Sequence, residues 1–348
     1  MNKPSVNLRK FALFSLFLGP VISTSVYSQE LQSGTGESPL FEGEQLMLNG
    51  SYAAAADIFQ MADGLDRNEG IVGASRALFM MGNSVEAANV VEQEIEDEDY
   101  VSFPLLSTQL AEVKRSIGKS EEALAILSAV VDGQLEPPVR TLVQHGSLLK
   151  FLGRKSEAEE VLNLAVQRYN NGLVFASEDV AMVALASWLL DNFHDANSLF
   201  SEATRANPNN LEAQVLWGDL FLEKYNANDA QRSYQEVLDI NSRHVPALVG
   251  MAKIGGDERS LTRALAINPN SVLALETYGQ LLLINNREEE AQEYFDRALN
   301  LNPQSLKSLS ILAAQAALNQ RQEEYEQLKV RVDSFSPDNP KFLGDIAD

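Results

Sequence analysis

The stretch EEEAQEYFDRALNLNPQS, Glu288 to Ser305, has a counterpart earlier in the chain. DANSLFSEATRANPNN, Asp195 to Asn210, carries Ala, Phe, Ala and Pro in the same order. The apolar residues of the first stretch recur at spacings of three and four, which places them on one face of a helix. A Pro then ends the helix, because Pro cannot continue a helix and restricts the residue before it. The repetition predicts a repeat architecture.

The same pattern recurs along most of the chain. Pro269, Pro303 and Pro337 are 34 residues apart, and so are Ala196 and Ala230. Further alanines continue the series upstream at spacings of 32 to 38, namely Ala158, Ala123, Ala87 and Ala55. A second apolar-periodic stretch lies before most of these alanines. Each period therefore predicts two helices joined by a turn.

Small residues recur at one position of each predicted helix. A Gly within a helix costs about 1 kcal/mol relative to Ala, so its repeated use predicts that paired helices approach too closely for a larger side chain. On the first helices these residues are Gly43, Ser75, Ala111, Gly146, Ala184, Gly218, Ala252, Gly279 and Ala313. On the second helices they are Ala55, Ala87, Ala123, Ala158, Ala196, Ala230 and Ala291.

Together these features resemble the tetratricopeptide repeat family, whose unit of about 34 residues is a helix–turn–helix. In the copy Val272–Ser305, the family's signature positions hold Tyr278, Gly279, Leu282, Ala291, Phe295, Ala298 and Pro303. The resemblance implies an all-α fold, an α-solenoid in which about nine helix–turn–helix repeats form a right-handed superhelix.

The chain divides into several predicted segments. Residues 1–28 have the order of a secretory signal peptide, because a basic start precedes the apolar run Phe11 to Ile22 and small residues precede Gln29. This predicts export across the inner membrane to the periplasm, with an uncleaved membrane anchor as the alternative. The other segments are a flexible linker, 29–38, degenerate repeats, 39–176, better-formed repeats, 177–339, and a tail, 340–348. One copy, 245–271, is shortened, and Asp257 falls where a small residue belongs.

Composition argues against several functions. The chain has 27 Lys and Arg against 49 Asp and Glu, a net charge of −22, whereas nucleic-acid binding needs a basic surface. It contains no Cys, so disulfides and thiolate chemistry are excluded. No catalytic motif is present, and His145, His194 and His244 have no partner at metal-ligand spacing. We therefore predict no enzyme activity, metal or cofactor, and no membrane association after signal cleavage.

The resemblance implies that the first helices line the concave face. Residues spaced by four and three form a stripe there, comprising Ala181, Leu185 and Trp188 in one copy and Val215, Asp219 and Leu222 in the next. Acidic residues flank the stripe, namely Glu178, Glu212 and Glu223. Only Arg140, Lys150 and Lys307 are predicted to be basic on this face, which argues against a clamp for a peptide carboxylate.

The stripe predicts a site for a protein or peptide segment that is apolar with basic flanks. Packing of Leu185, Trp188 and Leu222 between repeats is an equally open interpretation. For the whole protein, the fold-level analogy predicts an exported scaffold or adaptor in cell-envelope assembly or export. Two alternatives stay open: a structural scaffold that self-associates as a homo-oligomer, and an accessory protein of polysaccharide secretion.

Overall fold

A computed structural model describes residues 38–337 together with Asn339 and Phe342. The predicted signal peptide, nearly all of the linker and most of the tail lie outside these residues. Within them the chain forms eighteen α-helices and no β-strand, and successive helices form nine antiparallel pairs, which we number repeats 1 to 9. The predicted all-α solenoid is confirmed. Among the helices so described, none combines the length and hydropathy needed to cross a bilayer.

Each repeat consists of a first and a second helix. The first helices are α1 (Pro39–Leu48), α3 (Arg67–Met80), α5 (Pro104–Ser116), α7 (Val139–Phe151), α9 (Ser177–Leu189), α11 (Leu211–Glu223), α13 (Val245–Gly255), α15 (Val272–Ile284) and α17 (Leu306–Leu318). The second helices are α2 (Tyr52–Phe59), α4 (Ser84–Glu92), α6 (Ser120–Gly133), α8 (Lys155–Asn170), α10 (Phe193–Ala206), α12 (Ala227–Ile240), α14 (Glu258–Ile267), α16 (Glu288–Leu301) and α18 (Gln322–Asp333). Short 3₁₀ turns, Gly64–Asp66 and Glu96–Glu98, lie in the first two junctions between repeats.

The predicted close approach of paired helices is confirmed, and every small residue at the predicted positions is buried. A Cβ atom on Gly279 would lie 2.8 Å from Cζ of Phe295, and one on Gly218 would lie 2.6 Å from Cε1 of Tyr234. The aromatic ring of the second helix therefore fills the space that the Gly of the first helix leaves open. Larger side chains at these positions would overpack the pair.

Repeat 7 is short because both of its helices are short. Helix α13 has 11 residues and α14 has 10, whereas α11 has 13 and α12 has 14. Asp257 does not occupy a packing position, so that expectation was wrong. It precedes α14, where its side chain accepts a hydrogen bond from the Arg259 amide at 3.1 Å and caps the helix.

The array coils back so that its first four repeats contact its last repeats. The turns within repeats 1 to 3 each contact a junction between two later repeats, and the turn within repeat 4 contacts the residues that follow α18. We call the whole contact the seam and its four parts docks 1 to 4. The turns contain Gly50, Gly82, Gly118 and Gly153, and they contact 241–243, 268–270, 302–304 and the residues Ser336 and Pro337, respectively. The docks follow one another in the same order along both halves of the chain.

Hydrogen bonds hold docks 1 and 2 in equivalent ways. In dock 1, Nε of Arg243 donates to the Gly50 carbonyl at 3.0 Å. In dock 2, Nδ2 of Asn270 donates to the Gly82 carbonyl at 3.0 Å, and Nδ2 of Asn268 donates to the Phe79 carbonyl at 3.3 Å. Each junction thus satisfies carbonyls at the end of an early first helix, where helices leave acceptors unpaired.

Docks 3 and 4 extend the seam with a different balance of contacts. In dock 3, the Ser120 amide donates to Oε1 of Gln304 at 3.2 Å. In dock 4, Oγ of Ser336 donates to the Phe151 carbonyl at 2.7 Å. The Phe151 and Phe335 rings also stack there, with centroids 5.6 Å apart. Phe151 therefore belongs to the hydrophobic contacts of both halves.

Every docked turn contains glycine, and so does the turn of repeat 7, Gly256, which does not dock. Gly82 has a φ of +89°, and a Cβ atom there would lie 2.4 Å from Oδ1 of Asn268. The corresponding turns of repeats 5, 6, 8 and 9 are exposed and keep side chains, namely Asp191, Tyr225, Asn286 and Gln320, with φ between 57° and 63°. Since those turns hold positive φ without Gly, the close approach of the facing residues accounts for Gly in the docked turns.

Candidate functional site

The structure divides the predicted stripe into accessible and buried residues. Leu185, Trp188 and Leu222 are half-buried, so each keeps surface that a partner can contact. Val215 is only 7% exposed and packs in a core cluster with Tyr234. It therefore contributes to packing between helices and offers no surface for a partner, contrary to its predicted place in the site.

Trp188 and Glu223 form a pair at the ends of α9 and α11. Nε1 of the indole donates to Oε2 of Glu223 at 3.0 Å. The Glu223 side chain is 50% exposed, and its Oε1 lies 3.6 Å from Nζ of Lys224. The indole thus has a fixed orientation beside a carboxylate that is open to solvent. We call the surface made by Leu185, Trp188, Leu222 and Glu223 the rim.

Asp219 is occupied by a contact within its own repeat. Its Oδ1 accepts a hydrogen bond from the Tyr234 hydroxyl at 2.6 Å. Burial raises the pKa of Tyr234, and the charge of Asp219 raises this pKa further, so the phenol stays protonated. Asp219 accordingly holds the ring that packs beside Gly218, and we do not count it as part of the rim.

Glu212 braces two first helices that are not neighbours in sequence. Its carboxylate on α11 accepts hydrogen bonds at 3.0 and 2.6 Å from the guanidinium of Arg140 on α7. Burial opposes ionisation of Glu212, but the charge and hydrogen bonds of Arg140 outweigh it and lower the pKa of Glu212 to about 2. Glu178 is also exposed, as Glu212 is, but its side chain accepts a hydrogen bond from the neutral amide of Asn207, at 3.1 Å, and not from a cation.

Two further arginines, Arg76 and Arg115, lie on the first helices in addition to Arg140, Lys150 and Lys307, the basic residues predicted there. Nε of Arg76 on α3 donates to Oε1 of Gln109 at 3.2 Å, and Nη1 of Arg115 on α5 donates to Oγ of Ser147 at 3.3 Å. Burial lowers the pKa of both guanidiniums. A signal was available in the sequence, since Arg76 follows its small residue, Ser75, by one position, as Leu185 follows Ala184.

A cavity of about 150 Å³ lies between the first helices α5, α7, α9 and α11. Arg115, Arg140, Glu212, Ser147 and Leu185 are among the side chains that line it. Pockets that hold drug-sized ligands have volumes of about 300–1,000 Å³. This cavity is therefore smaller than a pocket that holds a drug-sized ligand.

The histidines occupy structural positions. His145 on α7 is 7% exposed, and its Nε2 lies 3.1 Å from Oγ of Ser128. His244 is 6% exposed at the junction in dock 1, and burial lowers its pKa to about 4. His194 is exposed in the first turn of α10. In the part of the chain that the structure describes, no group of three or more His, Asp or Glu is arranged to hold a metal ion.

Family models described as tetratricopeptide repeat match two segments of the chain. One covers residues 139–171, which contain α7 and α8 of repeat 4. The other covers residues 260–293, from the second helix of repeat 7 to the start of the second helix of repeat 8. The first match falls in the half of the chain where the sequence pattern is weaker. No curated protein sequence matches the chain.

Solved structures with a similar arrangement have low sequence identity. A chain of the APC/C hetero-tetramer Cut9–Hcn1 is 14% identical with a TM-score of 0.57, over 87% of this chain and 62% of that one. A tetratricopeptide repeat protein from Parabacteroides merdae is 15% identical with a TM-score of 0.42, over 80% and 97%. MamA is 16% identical with a TM-score of 0.33, over 43% and 92%. The first similarity supports the solenoid fold.

Proposed function

Because this chain is a tetratricopeptide-repeat protein, we propose that it is an exported scaffold or adaptor that binds a segment of another protein at the rim. Arrays of such repeats are protein-interaction scaffolds, which supports the general class. The partner segment is apolar with basic flanks. Export rests on the predicted signal peptide, residues 1–28, and places the function in cell-envelope assembly or export.

The Trp188–Glu223 pair carries the proposal. An indole supplies a large, rigid apolar contact and is enriched among the residues that dominate binding free energy. The exposed carboxylate of Glu223 beside it attracts a basic flank, and exposed Glu178 on the same helix as Trp188 adds to the negative potential. Leu185 and Leu222 extend the apolar part of the rim.

The contacts within the chain narrow the site that the sequence predicted. Val215 is buried, Asp219 binds Tyr234 and Glu212 binds Arg140. Because these side chains are engaged within the chain, the proposal leaves them out of the contact with a partner. The proposed contact set is therefore Leu185, Trp188, Leu222, Glu178 and Glu223.

Affinity measurements on rim variants test the proposal. Crosslinking in the native envelope supplies the partner, and Trp188→Ala is then compared with Tyr225→Ala, which removes an aromatic ring that is 97% exposed just beyond α11. We expect Trp188→Ala to weaken binding by about 2 kcal/mol or more and Tyr225→Ala to stay within about 0.5 kcal/mol. Unchanged affinity in folded Trp188→Ala would refute binding at the rim.

A further inference from the structure

Leu185 lines the cavity of about 150 Å³ between the first helices of repeats 3 to 6. Its volume is below the range of about 300–1,000 Å³ that pockets for drug-sized ligands have. The Arg140–Glu212 pair spans the cavity from α7 to α11. A partner that binds at the rim can thus touch Trp188 in the closed conformation, whereas the inner side of Leu185 stays out of its reach.

The seam is held mainly by polar contacts in docks 1 to 3. Several hydrogen bonds cross dock 1, two cross dock 2 and one crosses dock 3, most of them from side chains to main-chain carbonyls or amides. Only dock 4 adds stacked aromatic rings, Phe151 and Phe335. Within each repeat, by contrast, fully buried rings such as Phe295 and Tyr234 hold the helices together. Contacts with little buried apolar surface are the first to open in a folded protein.

The charges behind the seam act in both directions. The Arg140–Glu212 pair joins repeat 4 to repeat 6 and has to break on opening, whereas the surroundings of Arg76 and Arg115 favour opening. Arg76 donates to an amide and Arg115 to a hydroxyl, at 3.2 and 3.3 Å, so neither bond brings a carboxylate to the guanidinium. Burial lowers the pKa of both groups, so the folded surroundings disfavour their charged forms. Where opening admits water to these two cations, it recovers part of their hydration free energy.

We infer that the seam is a clasp, which opens to let a partner segment pass from the rim onto the inner surfaces of α5, α7 and α9. Repeats 1 to 4 separate from repeats 6 to 9 while repeat 5 connects the two halves. The glycines of docks 1 to 4 permit closure, and the closed clasp excludes partners from the cavity. This inference rests on the proposed function, since it concerns how the same partner reaches more of the first helices.

A single reporter thiol measures opening without any partner. The chain has no Cys, so Ser147→Cys introduces one thiol at the cavity wall with little change in shape. The probe is a maleimide carried on a polyethylene glycol chain too large for the cavity, and a small maleimide serves as the comparison. Reaction of the large probe requires an open clasp.

Two variants shift the clasp in opposite directions. Gly82→Asn overpacks dock 2, since a Cβ atom there would lie 2.4 Å from Oδ1 of Asn268. Gly172→Asn is the matched control, because Gly172 also has positive φ, +69°, but nothing lies within 4 Å of its Cβ position. A disulfide between Gly82→Cys and Asn270→Cys closes the dock, where the two Cβ positions are 3.1 Å apart and need to separate by only a few tenths of an ångström.

We expect the large probe to react about tenfold faster or more in Gly82→Asn. Overpacking one dock should lower the ratio of closed to open protein by a similar factor, and the probe reacts only with the open form. The Gly172→Asn control should match the reporter alone, and the oxidised disulfide should slow the large probe below it. Equal rates in all four proteins would overturn the clasp, as would failure of both probes in Gly82→Asn. Because no partner is present, these outcomes are independent of the affinity of Trp188→Ala.

Discussion

The side-chain amide of Asn241 donates a hydrogen bond to the main-chain carbonyl of Met47 at 3.1 Å, although 194 positions separate the two residues. The same amide lies 3.0 Å from the Tyr52 hydroxyl, and Oδ1 of Asn241 accepts from the Arg243 amide at 3.0 Å. Asn207 makes the same local turn with the Asn209 amide but gives its side-chain amide to exposed Glu178. The same local turn therefore joins the two halves of the chain at Asn241, whereas at Asn207 it makes only a contact at the surface.

This difference predicts unequal costs for the same substitution. Asn241→Ala removes the donor to a buried carbonyl and to Tyr52, which is 2% exposed, so we expect a loss of about 1–3 kcal/mol in the free energy of unfolding. Asn207→Ala removes the matching hydrogen bond of the turn and one exposed contact. Its cost in unfolding free energy should therefore be smaller than that of Asn241→Ala by about 1 kcal/mol or more. Urea denaturation of both variants measures the difference. Equal costs would show that dock 1 adds no stability.

Two helical glycines predict opposite effects of Ala. At Gly279 a Cβ atom would lie 2.8 Å from the Phe295 ring, so Gly279→Ala should destabilise the protein by about 1–3 kcal/mol through overpacking. At Gly255, in the last residue of α13, the Cβ position is open, and Gly255→Ala should stabilise by about 0.4–1 kcal/mol. Thermal unfolding of both variants tests the signs, and a stabilising Gly279→Ala would contradict the helix packing described here.

Acidification should weaken the fold through His244. Burial lowers the pKa of its imidazole to about 4 although Glu212 acts in the opposite direction, and the unfolded value is 6.5. The unfolded chain therefore binds more protons between these values, so stability is full above pH 6.5 and falls as the pH drops towards 4. The shift corresponds to about 3 kcal/mol at most. The denaturation midpoint should depend less on pH in His244→Gln than in the original protein. The same pH dependence in both would exclude His244 as the cause.

Charge reversal should distinguish Glu178 and Glu223, which are proposed to attract a partner, from Glu212, which stabilises the fold. Glu223→Lys and Glu178→Lys are expected to slow association with the captured partner and to flatten the salt dependence of the association rate. Glu212→Lys should instead lower the thermal midpoint, because it replaces the partner of Arg140 with a like charge. Stopped-flow association and thermal unfolding of all three variants distinguish the roles. An association rate that is insensitive to both Glu178 and Glu223 would contradict a basic flank on the partner.

The predicted signal peptide, residues 1–28, implies a defined mature terminus. The exported protein should begin at Gln29, because Val26 and Ser28 provide the small residues that cleavage requires. Intact-mass measurement of protein recovered from the cell envelope checks this directly. A mass that includes Met1 would favour the uncleaved anchor instead.

Part of the proposed site was visible in the sequence and part was not. Trp188, Leu185 and Leu222 follow from helical spacing, and the structure leaves all three half-buried. Asp219 and Val215 share that spacing, yet one binds Tyr234 and the other packs in the core. Spacing identifies a helix face, but the partner of each side chain on that face depends on the neighbouring helix.

The sequence by itself determined the helices, their pairing and the small residues between them. These features depend on spacings of three, four and about 34 residues, and each repeat packs mainly on its neighbours. Only the tertiary structure decided that Asn241 meets Met47 and that Glu212 meets Arg140. Such contacts depend on the sum of small rotations from one repeat to the next. No short stretch of sequence determines the total rotation, although the glycines of the docked turns permit the contacts that this rotation produces.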